Sequence, residues 1–172
     1  FQKAGAATVS SDEIVHHLLR ADPEVKAAIV AELGEDVLDA EGAVDRKLVA
    51  EKVFADRGKL DFLERLLHPK VAAEYLAWRE QLAELPEPPE VCVTEVPLLF
   101  ETGAERRFDK VVVITAPAKL REQRRRVTRD DRDTRLLPDK EKVKRADFAY
   151  VNTGTLEELD AWVAGVMREL VN

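Results

Sequence analysis

Two short apolar runs, each closed by a proline, organise the hydrophobic pattern of this chain. The first is Val91–Val93, which follows a proline-rich segment and leads to Pro97. Consecutive apolar positions are typical of a strand buried on both faces. Pro97 predicts the carboxyl end of that strand, because a proline cannot donate to the sheet ladder. The second run, in the segment 108–117 (FDKVVVITAP), stops at Pro117. Together they predict neighbouring strands of one parallel sheet, whose carboxyl ends are where ligands bind.

The amino-terminal residues predict a strand followed at once by a helix. The chain starts with a final helical turn that ends at Gly5, the residue type favoured at a left-handed C′ position. Ala6–Val9 predicts a short strand, and Ser10 or Ser11 then caps a helix that begins near Asp12. The pattern leaves two roles open for this acid: a group held by the helix dipole, or a chemical group at a ligand site.

After that first helix, the pattern stays helical as far as the proline-rich segment. Pro23 begins a helix, Asp45 caps a second one, and a third covers residues 57–67. His68-Pro69 then interrupts before a further long helix. Because a residue that precedes proline is held extended, His68 either points into a cleft or is a hydrogen-bonded structural histidine. We interpret residues 20–90 as a helical insertion between two strands.

The last third of the chain predicts three more helices and one more strand. One helix covers residues 119–128, another covers 139–146, and a strand covers Phe148–Val151. Thr155 and Glu158 have the spacing of a capping box, which begins the final helix. Five apolar residues predict the buried stripe of that helix: Leu156, Leu159, Val163, Val166 and Leu170.

Composition and charge narrow the class of protein and of partner. A length of 172 residues is that of one domain, or of one domain with an inserted subdomain, and 45% hydrophobic with 35% charged residues is typical of soluble globular proteins. No apolar run approaches the roughly 18 residues of a membrane-spanning helix. The net charge of −7 argues against nucleic acid or an anionic membrane as partner. The single cysteine, Cys92, lies in a predicted strand, where it reads as a small core residue and fits a reducing cytoplasm.

The positive charge is concentrated in one segment. Residues 119–145 contain twelve Lys or Arg and six Asp or Glu, a local charge of +6 that leaves −13 for the rest of the chain. Arg129, Arg132 and Arg135 belong to a predicted loop or short lid at 118–137. Guanidinium groups match phosphate oxygens in a two-bond geometry. The cluster therefore predicts a small polyanionic ligand, while a solvated face is the alternative for any single arginine.

Four motifs, in one order along the chain, resemble those of a known family. VPLLFETG at 96–103, followed by FDKVVVITAP, resembles the central signature of the dephospho-CoA kinases. VSSDEI at 9–14 resembles the family's VIDAD segment, and LLHP at 66–69 resembles its LLHP. RADF at 145–148 with NTGTLEEL at 152–159 resembles its RADFVI-NSGSLEEL ending. The motifs span nearly the whole chain, and together they are more specific than any one alone.

The resemblance implies a P-loop kinase fold, an α/β class with a parallel sheet flanked by helices. Residues 1–172 would form one kinase domain, with an acceptor-binding helical insertion at 20–90 and a short lid at 118–137. The implied reaction is ATP-dependent phosphorylation of the ribose 3′-hydroxyl of dephospho-CoA, the last step of coenzyme A biosynthesis, with Mg²⁺ bound through ATP. We expect ATP and dephospho-CoA as partners of a cytoplasmic enzyme that is a monomer or a weak homo-oligomer.

The resemblance also assigns roles to individual residues. Asp12 is the candidate that accepts or orients the proton of the ribose hydroxyl. Glu95, at the strand end where many members have Asp, is a candidate partner of metal-bound water, and no dedicated protein metal cage is expected. The remaining assignments are acceptor contacts at His68, Pro97, Leu98 and Leu99; phosphate contacts of the lid at Arg129, Arg132 and Arg135; and the loop near the adenine at Asn152 and Gly154.

Three departures from the family pattern accompany this resemblance. The motif G-x-x-x-x-G-K-[ST] is absent from these residues, and Gly58-Lys59 does not fit it. In the family that loop precedes the helix whose end lies at Gly5, so we expect it upstream of Phe1, and a sheet without that first strand would leave neighbouring strand edges exposed. Position 10 is serine where the motif has its first acid. The segment between Pro117 and Ala146 is also several residues shorter than the usual lid.

Two alternatives remain open from the sequence. One is another small-molecule kinase of the P-loop class, such as a nucleoside monophosphate kinase, which would differ in its acceptor. The other is a non-catalytic relative that has lost its phosphate loop and binds coenzyme A or a protein partner.

Overall fold

The computed structural model describes residues 1–124 and 136–171, which form two compact units. One unit is Ala6–Val96; the other combines Phe1–Gly5 with Pro97–Asn172. The first unit contains β1 (Ala7–Ser10), α1 (Ser11–Ala21), α2 (Pro23–Leu33), α3 (Arg46–Ala55), α4 (Arg57–Ala83) and β2 (Cys92–Glu95). The second contains β3 (Val112–Thr115), α5 (Ala118–Arg124), α6 (Asp139–Arg145), β4 (Phe148–Val151) and α7 (Leu156–Val171).

In the first unit, β1 and β2 form a parallel pair. Their register runs from Ala7 opposite Cys92 to Ser10 opposite Glu95, so the two strands end at the same level. β2 stops two residues before Pro97, as the sequence predicted. Cys92, Val93 and Thr94 are half-buried rather than buried on both faces, and Glu95 is exposed; among the described residues β2 is hydrogen-bonded to one strand only.

The helices of the first unit pack around a small aliphatic core. Val25 and Ile29 of α2 are fully buried, and Leu18 of α1 is almost so, as expected for apolar residues spaced four apart on a helix. Asp22 and Asp45 each accept hydrogen bonds from two amides in the first turn of the following helix. The prediction that Asp45 caps a helix is confirmed, since α3 begins at the next residue, Arg46.

The long helix α4 corrects the prediction made at His68-Pro69. The helix continues without a break through Pro69 from Arg57 to Ala83, so His68 is helical rather than extended. A proline inside a helix removes one amide donor, and here packing outweighs that cost: Leu67, Val71 and Tyr75 are buried on both sides of the proline. The interruption predicted at this point is therefore wrong.

Lys70, the residue after that proline, ties α4 to the start of α2. Its Nζ lies 2.8 Å from Asp22 Oδ2 and 3.0 Å from Glu24 Oε2. The hydrogen bond from Lys70, together with that from the Val25 amide, lowers the pKa of Asp22 below its ordinary value. Asp22 thus joins two helices through one carboxylate, since its other oxygen caps α2.

In the second unit, β3 and β4 form another parallel pair, in register from Val112 opposite Phe148 to Thr115 opposite Val151. Among the described residues β3 pairs with β4 and β2 pairs with β1. The sequence predicted β2 and β3 as neighbours, and for the described residues that pairing is wrong. Hydrophobic runs specify strands, but the partner of each strand is chosen by tertiary packing.

The final helix α7 begins as predicted. Thr155 donates its amide to Glu158 Oε2 at 2.9 Å, and its hydroxyl accepts from the Glu158 amide at 3.3 Å, which completes the capping box. Val163 and Val166 are buried in the predicted stripe, and Trp162 lies against Tyr150 of β4 with ring centroids 5.0 Å apart. The prediction that Leu156 is buried is wrong: this first residue of α7 is 72% exposed.

Candidate active site

The carboxyl ends of β1 and β2 bring together three candidate residues of the first unit. Ser10 and Glu95 face each other in the last pair of the register, and Asp12 follows in the first turn of α1. Asp12 is 65% exposed and Glu95 is also exposed, so both carboxylates are open to a ligand. An acid at this edge, beside the amino end of a helix, occupies the position where open α/β sheets bind their ligands.

The amino end of α1 is not closed by its own cap. Ser10 has the N-cap position, but its side chain makes no capping hydrogen bond. Ser11 is buried, and among the described residues its hydroxyl oxygen has no hydrogen-bond partner. The first-turn amides of α1 are therefore not used by a cap side chain, and the positive end of the helix dipole is available to a negative group.

Arg46 is a residue of this site that the sequence did not single out. Its Nη2 lies 4.0 Å from Asp12 Oδ1, at the limit of an ion pair, and the Arg46 side chain is 57% exposed. The Asp45 cap fixes Arg46 as the first residue of α3, which places its guanidinium beside the edge of the sheet. Helix periodicity alone carries no signal for this contact, because it joins two elements distant in sequence.

A cavity of about 310 Å³ lies next to these residues within the same unit. One wall is the face of α1 that carries His16, Leu19 and Arg20, and the other is the turn 39–46, which includes Arg46. Two guanidinium groups thus line a concave surface, one of them close to Asp12.

His68 lies on α4 in the same unit, on an exposed part of the helix surface. Within the described residues its side chain makes no hydrogen bond or ion pair. The alternative of a hydrogen-bonded structural histidine is therefore not what the described contacts show, and its side chain remains available to a ligand.

Pro97, Leu98 and Leu99 begin the second unit. They enter a compact turn, in which the carbonyl of Leu98 accepts from the amide and hydroxyl of Thr102, and the carbonyl of Leu99 accepts from the Ala104 amide. Backbone hydrogen bonds thus fix the shape of the segment for which the sequence predicted acceptor contacts.

This turn is held from the side by α6. Lys142 lies 2.7 Å from Glu101 Oε1, and these side chains are 18% and 12% exposed. The Leu137 amide donates to the same oxygen at 2.9 Å. Burial alone would raise the pKa of Glu101, but the hydrogen bonds from Lys142 and Leu137 outweigh it and leave the pKa below its ordinary value.

A second ion pair joins the same two segments. The guanidinium of Arg145 pairs with Glu105 and also stacks over Phe100, with its central carbon 4.5 Å from the ring centroid. Lys142 and Arg145 lie three residues apart on one face of α6, which is the spacing that lets them reach neighbouring acids. Both cations belong to the basic segment 119–145, for which the sequence predicts a polyanionic ligand, whereas in the structure they form ion pairs that stabilise the fold.

Asn152 and Gly154 form a loop directly after β4. The Asn152 amide donates to the Thr115 carbonyl at 2.7 Å, while its side-chain Oδ1 is buried and has no hydrogen-bond partner among the described residues. Arg124 of α5 donates to the carbonyls of Asn152 and Gly154, at 3.3 Å each. A Cβ at position 154 would lie 1.5 Å from Glu158 Oε2, so the capping box requires glycine there.

The lid arginines, a metal centre and a membrane-spanning helix are three further features to compare with the described residues. Arg129, Arg132 and Arg135 lie outside the described residues. Among the residues that are described, no group of three His, Cys, Asp or Glu side chains could hold a metal ion. No helix in the described part of the chain is long and apolar enough to cross a membrane.

Known proteins match this chain over nearly its whole length. A family model described as dephospho-CoA kinase matches residues 1–158. The dephospho-CoA kinase of Aquifex aeolicus is 32% identical over 176 residues, covering 99% of this chain and 88% of that protein. The dephospho-CoA kinase of Mesorhizobium japonicum is 36% identical over 183 residues, covering 99% and 87%. A solved structure of the dephospho-CoA kinase from Campylobacter jejuni matches with a TM-score of 0.71 at 28% identity, covering 99% of this chain and 87% of that one.

Proposed function

The chain belongs to the dephospho-CoA kinase family, and on that premise we propose how its residues carry out the ATP-dependent phosphorylation of dephospho-CoA in coenzyme A biosynthesis. The observation that carries the proposal is the position of Asp12, an exposed carboxylate at the carboxyl edge of a parallel strand pair and at the open amino end of α1. The fold is that of a P-loop kinase, and the protein is a transferase.

Asp12 acts on the accepting hydroxyl. The ribose 3′-hydroxyl donates a hydrogen bond to a carboxylate oxygen of Asp12, which orients the hydroxyl. As the ribose 3′-oxygen forms its bond to the γ-phosphorus of ATP, the hydroxyl proton passes to the Asp12 carboxylate. The bond from the γ-phosphorus to the β–γ bridging oxygen breaks, and ADP leaves with that electron pair. Arg46, whose Nη2 lies 4.0 Å from Asp12 Oδ1, orients the carboxylate toward the hydroxyl.

Mg²⁺ fits this edge of the sheet as an ion that arrives with ATP. The oxygen donors there are the carboxylate of Glu95 and the hydroxyl of Ser10, which suit a hydrated ion held mainly by phosphates. When bound, the ion neutralises charge on the β- and γ-phosphate oxygens. Glu95 would accept hydrogen bonds from its water molecules and so position the nucleotide.

The other residues bind and enclose the two substrates. We assign acceptor contacts to His68, which is exposed on α4, and to the turn Pro97–Leu99, whose shape is held by backbone hydrogen bonds. For the nucleotide we assign Asn152 and Gly154, in the loop after β4. The Asn152 Oδ1, which has no hydrogen-bond partner among the described residues, can accept from the exocyclic amine of adenine when the side chain turns toward the base. Arg129, Arg132 and Arg135 remain the predicted phosphate ligands of a lid at 118–137.

The proposal also includes the cellular location, the domain organisation and the oligomeric state of the protein. One cysteine and no expected disulfide fit a cytoplasmic enzyme. The helical insertion 20–90 remains our prediction for the acceptor-binding part of a single kinase domain. A monomer or weak homo-oligomer is the expected state, and sedimentation equilibrium of the purified protein measures it.

An acceptor panel tests the proposed reaction. ATP and Mg²⁺ are supplied with dephospho-CoA, AMP or UMP, and ADP release is followed for each. We expect kcat/KM for dephospho-CoA to exceed the other two by at least about a hundredfold, because the site hydrogen-bonds groups that the other acceptors lack. Equal use of AMP would assign the chain to the nucleotide kinases, and no turnover with any acceptor would support a non-catalytic relative.

A further inference from the structure

The cavity between α1 and the turn 39–46 has the construction of a ligand site. Its floor is apolar, since Leu19 and Val44 are 5% and 8% exposed. The turn is pre-formed: Asp39 Oδ1 accepts from the amide of Glu41 at 3.1 Å and from that of Ala43 at 2.7 Å. The cavity shape is therefore set by hydrogen bonds within the protein, and a ligand has little backbone to order.

The two arginines that line the cavity differ in their ion-pair partners. Arg20 makes no ion pair or hydrogen bond within the described part of the chain, and the carboxylate paired with Arg46 is that of Asp12 at 4.0 Å. His16 lies between Asp12 and Arg20 along α1 and also lines the cavity. The opposite wall carries two carboxylates: Asp39, which holds its own turn through Oδ1, and Glu41, whose side chain makes no hydrogen bond or ion pair within the described residues. Two guanidinium groups thus meet in a concave, partly apolar site.

The spacing along α1 relates this cavity to the accepting hydroxyl. Asp12, His16 and Arg20 are four residues apart, so they follow one face of the helix, and Asp12 and Arg20 are roughly 12 Å apart along its axis. In dephospho-CoA, the 5′-diphosphate is attached to the same ribose as the 3′-hydroxyl, a few bonds away. A ribose held at Asp12 would direct its diphosphate along this face.

We propose that this cavity is the subsite for the diphosphate of the acceptor, with the guanidinium groups of Arg20 and Arg46 as its ligands. The proposal rests on the proposed function, since it takes dephospho-CoA as the ligand. Charge-assisted hydrogen bonds from planar guanidinium groups supply affinity there. Arg46 lines the cavity and also lies 4.0 Å from Asp12, so it would contact the ligand between the diphosphate and the 3′-hydroxyl.

Two substitutions test the subsite: one removes a positive charge from the cavity, and the other removes a negative charge. Arg20→Ala removes a proposed ligand, and Glu41→Gln removes a carboxylate of the opposite wall; Arg79→Ala, an exposed arginine of α4 that does not line the cavity, is the matched control. The KM values for dephospho-CoA and for ATP are measured separately, with kcat. We expect Arg20→Ala to raise the KM for dephospho-CoA about 10- to 100-fold while the KM for ATP and kcat change less than about twofold. Glu41→Gln should lower the KM for dephospho-CoA about two- to fivefold.

The outcomes separate the subsite from the reaction itself. A wild-type protein that does not phosphorylate dephospho-CoA contradicts the proposed function. An active wild type in which Arg20→Ala behaves like Arg79→Ala contradicts the subsite alone, as does a KM for ATP that rises as much as that for dephospho-CoA. An increase in the KM for dephospho-CoA in Glu41→Gln would also overturn the proposal, because it would show that the cavity favours a positive group.

Discussion

Ser10 of β1 lies directly opposite Glu95 of β2, in the last residue pair of a parallel register. The family motif that this segment resembles has an acid at position 10, whereas this chain has a hydroxyl there. The carboxylate at this level of the sheet is supplied by the neighbouring strand instead. The edge therefore keeps one acid beside Asp12, but on a side chain that is one methylene longer than aspartate.

This arrangement predicts a specific effect of Glu95→Gln on metal dependence. Because Glu95 is assigned to the water molecules of an ATP-bound Mg²⁺, its loss should raise the Mg²⁺ concentration needed for half-maximal rate by about tenfold. The measurement is a Mg²⁺ titration at saturating ATP and dephospho-CoA. Glu90→Gln, an exposed acid just before β2, should leave the titration unchanged. Coincident curves for the two variants would remove Glu95 from the metal site.

Asn152 predicts the choice of nucleotide base. Its Oδ1 has no hydrogen-bond partner among the described residues. When the side chain turns toward the base, this oxygen can accept from the adenine amine, while the carbonyl of guanine cannot donate to it. Asn152→Ala should lower the preference for ATP over GTP by about tenfold, measured as the ratio of kcat/KM values. Thr153→Ala changes the next, exposed residue and serves as control. If both variants keep the wild-type ratio, base recognition lies elsewhere.

Glu101 predicts a pH-dependent contribution to stability. Its pKa is lowered below 4.5, so the ionised form is stabilised in the folded protein; this contribution is complete above pH 4.5 and is lost as the pH falls through the folded-state pKa. Glu101→Gln should lower the free energy of unfolding by about 1–2 kcal/mol at pH 7. The difference from wild type should shrink below pH 4.5 in urea titrations. Glu87→Gln, fully on the surface, should show no such trend, and a difference that grows in acid would contradict the assignment.

Pro69 predicts a stabilising substitution. Within α4 it has no amide to donate to the carbonyl of Arg65, one turn earlier, and its side chain is exposed. Pro69→Ala should restore that hydrogen bond and raise the free energy of unfolding by about 1–3 kcal/mol. The reverse change at another exposed position of the same helix, Ala73→Pro, should lower it by about 3 kcal/mol or more. Thermal unfolding of both variants measures these effects, and a loss of stability in Pro69→Ala would mean that the proline ring packs in the core.

Local chemistry made much of the fold predictable from the sequence. A proline marked the end of β2, an aspartate capped α3, and Thr155 with Glu158 formed a capping box. Each of these features depends on residues within a few positions of one another, where backbone hydrogen bonding decides the structure. The meeting of Ser10, Asp12 and Glu95 at one edge was not predicted, because the hydrophobic runs indicated that β2 neighbours β3, whereas β2 pairs with β1.

Other features depend on contacts between distant segments. The continuity of α4 through Pro69 reflects buried side chains on both sides, which outweigh the local preference of a residue before proline. The partner of β3 could not be chosen from hydrophobicity alone. Arg46 beside Asp12, and Lys142 beside Glu101, are pairs separated by more than thirty residues, as their numbers show. Single-sequence periodicity contains no information about such pairs.

The central claim, that Asp12 activates the accepting hydroxyl, is tested most directly by the turnover number of Asp12→Asn. Asparagine keeps the size and most hydrogen bonds of the side chain but cannot take a proton, so we predict that kcat falls about 10²- to 10⁴-fold, while the KM for dephospho-CoA stays within a few-fold. Glu13→Gln, the other first-turn acid of α1, controls for the loss of a negative charge near the helix dipole and should retain nearly full kcat. A kcat of Asp12→Asn equal to that of Glu13→Gln would contradict the account and leave Asp12 as an acid that only stabilises the helix.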